Sequence, residues 1–124
     1  MNIAFQCVMI AGVLPYLING ISKFGLKGFD PHAPRTSMEQ QVGWRKRAHW
    51  AHLNAFESFP FFAAAVVIAH LQAARTDLVT VVSVAFVVLR VLHAVFYIAD
   101  WAHMRTLAWV SSLGCVFGLF LISL

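Results

Sequence analysis

The chain has 124 residues, 60% of them hydrophobic and only 11% charged, with a net charge of +4 and a mean hydropathy of +0.76. So apolar a composition excludes an ordinary soluble domain of this size and places the chain in the membrane class. A nucleic-acid partner is excluded as well, because no basic folded face exists away from the apolar segments.

Four apolar segments are predicted as transmembrane helices, over about 3–22, 48–74, 78–99 and 106–124. Each is close to the ~20 residues that carry a helix across the hydrocarbon layer. The expected fold is all-α: one integral membrane four-helix bundle occupying 1–124 as a single domain. No positive charge precedes the first segment, and Lys23 and Lys27 follow it, which argues against a cleavable signal peptide. Between the first two spans lies the one real loop, Phe24–Gly43, with Gly25, Gly28, Pro31 and Pro34. Those residues argue against a continuous helix there.

The connections differ in charge. The first carries Lys23, Lys27, Arg35, Arg45, Lys46 and Arg47; the second has Arg75 beside Asp77; the third has Asp100 and Arg105. The positive-inside rule puts the first and third in the cytoplasm, with both termini and the second turn on the other side. Most of the net charge is then topology signal and attraction to anionic membrane lipid.

Cys7 and Cys115 are isolated, and no C-x-x-C is present. They read as small apolar residues, not as a redox pair. His49 and His52 have no cysteine or acid nearby to complete a tetrahedral set, so no metal site is expected and they read as interfacial residues. His70 and His103 read the same way. Gly114 and Gly118 have the small-xxx-small spacing that lets helices approach closely; chance carries equal weight.

Two polar stripes interrupt the apolar spans. Arg47, Asn54 and Glu57 lie on the second span and Arg90, His93 and Tyr97 on the third. At ~3.6 residues per turn each set falls on one helix face. Ionisable groups at membrane depth are costly and by default mark function. Counting from the cytoplasmic ends, Asn54 and His93 sit ~10 Å deep, and Glu57 and Arg90 ~15 Å deep. Glu57 is therefore expected to meet Arg90, and Asn54 to meet His93. A helix-locking ion pair would explain Glu57 and Arg90 by themselves. It does not explain further polar groups on the same wall, which point to a ligand site. Pro60 removes a backbone donor and predicts a kink near Glu57. Arg105 and Thr106 are expected to open the fourth helix, with Thr106 as its cap. A helix N-terminus beside an arginine attracts anions and favours a thiolate.

These stretches resemble a known family. RAHWAHLNAFESFP, with Asn54, Glu57 and Pro60, resembles the signature of the MAPEG family, the membrane-associated proteins of eicosanoid and glutathione metabolism. RVLHAVFY, with Arg90, His93 and Tyr97, resembles that family's third-helix pattern. Arg105–Thr106 falls where prostaglandin-synthase-like members carry Arg-Ser. The resemblance implies a bacterial-type member in the inner membrane, forming a homotrimer with glutathione held between subunits as cosubstrate. It implies that Arg47, Asn54, Glu57, Arg90, His93 and Tyr97 bind glutathione, and that Arg105 and Thr106 are catalytic, Arg105 stabilising the thiolate. The second substrate would be a lipophilic electrophile or hydroperoxide from the bilayer. The implied activity is thus a glutathione-dependent transferase or peroxidase.

Family members often carry arginines at the positions held here by Trp50 and Leu53. A non-catalytic member binding lipid or a protein partner is therefore the alternative. A small multidrug exporter is a third reading; it calls for an acid in the first span, where the polar residues are Gln6 and Asn19.

Overall fold

A computed structural model covers all 124 residues and is entirely helical. Five helices follow one another: α1 (Ile3–Lys23), α2 (Pro34–Glu39), α3 (Gly43–Leu71), α4 (Thr76–Ile98) and α5 (Ala102–Leu121). All but α2 are long and apolar enough to cross a membrane. The chain is an integral membrane protein by this criterion. Helix α1 packs most closely on α3, and α4 on α5. Asn2 caps α1, its Oδ1 accepting from the Phe5 amide at 2.9 Å. The glycine- and proline-rich connection is not wholly loop: Pro34 starts the short α2, where its missing N–H costs nothing.

The turns around α4 are tight because two Schellman motifs close them. Ala73 has φ 53° and Asp100 φ 62°. Ala74 N donates to Ala69 O at 3.0 Å, and Trp101 N to Phe96 O at 2.9 Å. Each satisfies a carbonyl that the ending helix would otherwise leave free. The second span therefore stops at Leu71, short of residue 74, and the fourth helix begins at Ala102. Thr106 is accordingly not the cap of α5. It lies inside the second turn, with its hydroxyl donating to Ala102 O at 3.1 Å.

Three consecutive cations on the first turn of α3 tie the loop end of the bundle together. Arg45 donates to Ser22 O and Phe24 O, both at 2.8 Å, at the end of α1. Lys46 donates to Glu39 O at the end of α2. Arg47 donates through Nε to Ile98 O at 3.1 Å, at the end of α4. Cations suit helix C-termini, where unpaired carbonyls gather.

The interior has two apolar clusters. Ala4, Ala11, Phe62, Ala65, Val79, Phe86, Val116 and Leu119 belong to the larger, within which the Phe62 and Phe86 rings stack at 3.9 Å and 8°. Ile18, Ala51, Ala55 and Ala94 form the smaller, toward the loop end. Alanines along α3 allow the close approach that membrane helices rely on. The glycine used for contact is Gly12, where a Cβ would meet the Phe59 ring at 3.2 Å; Gly114 and Gly118 face open space within the chain. Helix α3 runs unbroken through Pro60.

Candidate functional site

The two polar stripes face one another along α3 and α4, but their partners differ from those the helical counts predict. Arg90 is only 3% exposed. It donates through one terminal nitrogen to Asn54 Oδ1 at 2.5 Å and through the other to Ser112 Oγ at 3.5 Å. Glu57 forms no ion pair with it: the chain's one salt bridge joins Arg75 and Asp77 at 2.7 Å, on the surface. Nor does Asn54 bond to His93. The physical reason is reach. Asn54 and Ser112 come within hydrogen-bonding distance of the buried guanidinium, whereas Glu57, exposed on the wall of the same cleft, does not.

That cleft lies between α3 and α5 with α4 as its floor. Its deep part, about 210 Å³, is lined by Glu57, Phe61, Phe86, Arg90, Trp109 and Ser112 among others. Its mouth, toward the loop end, is lined by Asn54, His93, Tyr97, Arg105, Thr106 and Trp109. A neighbouring hollow on the α3 side is lined by Trp50, Leu53, Asn54, Glu57 and Tyr97. Asn54 borders all three spaces. Of the predicted site residues, only Arg47 is absent from these walls, being committed to the Ile98 carbonyl.

Hydrogen-bonding capacity remains unfilled here. Arg90 Nε and His93 Nδ1 are buried without a partner, although buried polar groups are nearly always paired. The cations outnumber the acids on these walls, with Arg90 and Arg105 against Glu57. Arg105 lies with its guanidinium carbon 4.6 Å from the Tyr97 ring centroid. Phe61, Leu113 and Val116 give the deep part apolar sides. The arrangement suits an anionic group beside Arg90 and Arg105 and an apolar one against Phe61, Leu113 and Val116.

A model of the MAPEG family matches residues 3–124, essentially the whole chain. The chain belongs to the MAPEG family. That family includes glutathione transferases and peroxidases. No individual curated protein and no solved structure gives a significant match. In this MAPEG chain Asn54, Glu57, Arg90, His93 and Tyr97 line three hollows that share Asn54 as a common wall.

Two further sequence expectations fail. His49 and His52 are not surface residues but buried, at 8% and 7% exposure. Their rings are 4.9 Å apart, and His52 Nδ1 lies 2.5 Å from His49 O. His52 also meets the Phe56 ring, which in turn meets Tyr16 of α1. Thr106 remains on the wall of the mouth without capping α5. Ser112 and Trp109 are the site residues that sequence reasoning missed. Trp109 and Ser112 share a face of α5 with Arg105, four and seven residues on, a helical spacing that the reading of the two stripes did not extend to this helix.

Proposed function

We propose that this MAPEG protein is a membrane-embedded, glutathione-dependent transferase or peroxidase acting on a lipophilic electrophile or hydroperoxide. The observation that carries the reading is the buried Arg90, held by Asn54 and Ser112 with donor capacity left over, in a cleft that Arg105 overlooks. A tripeptide thiol offers two carboxylates and an ammonium group. Arg90 and His93 suit the former and Glu57 the latter. Arg105 would favour the thiolate, the nucleophilic form. In the transfer reaction the thiol proton leaves to solvent and the sulfur forms a bond to carbon, which opens a strained ring or expels a leaving group. The acceptor would enter from the lipid between α3 and α5.

A homotrimer fits the same reading. Glu57 is exposed on the single chain in mid-span, and a charge at that depth calls for cover from protein. The span windows are only 22–33% buried within the chain, which leaves wide faces for neighbouring subunits and lipid. The basic first connection and the third would lie in the cytoplasm of a bacterial cell, by the charge rule.

Calorimetric titration of the detergent-purified protein with glutathione tests the proposal. Wild type is expected to bind, and Glu57→Gln to bind at least ~10-fold more weakly, the scale of a lost charge-assisted hydrogen bond. Equal affinity for both, or no heat with either, would count against it. One observation favours a second reading, a non-catalytic lipid binder: Trp50 and Leu53 are 45% and 41% exposed and form an apolar wall beside Glu57. That reading expects lipid to co-purify and glutathione to give no signal.

A further inference from the structure

Tyr97 sits where α3, α4 and α5 meet at the cleft mouth. Three side chains touch its ring. The His93 ring meets it edge-on, at 5.6 Å and 82°. Trp50 of α3 lies at 6.5 Å and is itself faced by the Lys46 ammonium at 5.5 Å. The Arg105 guanidinium of α5 lies over the ring at 4.6 Å. One residue farther along, the Ile98 carbonyl is held by Arg47. The ring is thus braced from α3 and α4, while its remaining face carries the cation of α5.

Arg105 forms no ion pair. A long arginine side chain without a fixed acceptor has several rotamers open to it, and an aromatic face is the attraction that selects among them. A tyrosine ring has two torsions and loses little freedom when packed. It is therefore a suitable rigid seat for a mobile cation.

We infer that Tyr97 is a positioning residue that seats Arg105 through its ring face, and thereby sets how readily a thiol bound in the mouth ionises. The inference rests on the glutathione reading of the cleft and deepens it. Only the S–H bond breaks in this step: the proton passes to solvent water and the electron pair stays on sulfur, beside the guanidinium. The other ionisable groups on these walls are Glu57 of α3 and Arg90 and His93 of α4. With Arg105 unseated, the bound thiol would return toward the ordinary value of ~8.5. The role belongs to the aromatic face, so phenylalanine should fill it and leucine should not.

Two measurements on the purified full-length protein test this. The first is side-chain NMR of Arg105, assigned by its loss in Arg105→Lys. Wild type and Tyr97→Phe are expected to show ring-current-shifted Arg105 protons, and Tyr97→Leu to lose the shift. The second is ultraviolet titration of the thiolate at saturating glutathione. Tyr97→Leu is expected to raise the midpoint by about half a unit. Tyr97→Phe and Tyr97→Trp, which keep a ring face, should titrate with wild type. The inference is overturned if wild type shows no ring-current shift, if Tyr97→Leu titrates like wild type while Arg105→Ala does not, or if Tyr97→Phe titrates like Tyr97→Leu. If Arg105→Ala itself leaves the midpoint unmoved, or glutathione gives no thiolate signal at all, the glutathione reading fails and the inference falls with it.

Discussion

Arg90 of α4 reaches across to Asn54 of α3 and not to Glu57, with 2.5 Å between its guanidinium nitrogen and Asn54 Oδ1. A neutral amide thus holds a cation that is only 3% exposed. Asn54→Ala would leave that cation with Ser112 alone, at 3.5 Å. We expect a loss of ~1.5–3 kcal/mol, the usual scale for a hydrogen bond to a charged group. Asn54→Asp, which restores an acceptor and adds a charge, should recover most of it. Unfolding in graded denaturing detergent measures both; equal midpoints for Asn54→Ala and wild type would show that Arg90 has another anchor.

Arg47 gives a contrasting case. The sequence stripe assigns it to the ligand, but its Nε is committed to the Ile98 carbonyl at 3.1 Å. Arg47→Ala should therefore cost stability, ~1 kcal/mol for the lost bond, and lower the melting temperature by about 3–6 °C on the size scaling for such domains. The KM for glutathione should change less than ~2-fold, since no binding contact is removed. A large rise in KM with an unchanged melting temperature would return Arg47 to the ligand site.

The turn at Ala73 offers a gain. Its φ of 53° puts an L-residue with a Cβ in the left-handed region, which costs ~1–2 kcal/mol. Ala73→Gly should remove most of that cost, offset by ~0.5–1 kcal/mol of added freedom in the unfolded chain. The net expectation is a small rise in thermal midpoint. Asp100, at φ 62°, belongs to a residue class that tolerates this region, so Asp100→Gly should gain less. A lower midpoint for Ala73→Gly would mean the Schellman turn is not strained.

The same turn explains what the sequence concealed. The four spans were legible because twenty-residue apolar runs have few soluble alternatives. The first span and the end of the third were placed within a residue, but the stop of the second at Leu71 and the start of the fourth at Ala102 were not, because the turns at Ala73 and Asp100 carry no glycine and no proline to mark them. With the start of the fourth span placed at 106 instead of Ala102, Thr106 looked like a cap, although Trp101 holds the cap position of α5 without any side-chain bond. The stripes themselves were legible from the helical period, and all their residues but Arg47 line adjoining hollows that share Asn54. Which of them touch was not, since depth counting treats side chains as points. It cannot see that Asn54 reaches the Arg90 guanidinium while Glu57 makes no ion pair with it. The burial of His49 and His52 was hidden for a related reason: the period gives a face, but not which neighbour covers it.

Arg105 and Thr106 are adjacent on the wall of the mouth, yet their chemistry differs. A thiolate is an acceptor and is stabilised by donors or positive charge. Arg105 has five N–H groups and a charge to offer. The Thr106 hydroxyl has a single hydrogen, and it is given to Ala102 O at 3.1 Å. What Thr106 presents to the mouth is an oxygen lone pair, which a sulfur anion does not want. Arg105→Ala should therefore lower kcat by ~10²–10³, the range for removing a preorganised donor at a developing or resident anion. Thr106→Val should cost less than ~10-fold and leave stability within ~0.5 kcal/mol of wild type. Steady-state kinetics with a generic lipophilic electrophile compares the two. If Thr106→Val is as damaging as Arg105→Ala, the hydroxyl must rotate off the Ala102 carbonyl on glutathione binding, and its hydrogen, not the backbone bond, is what the site uses.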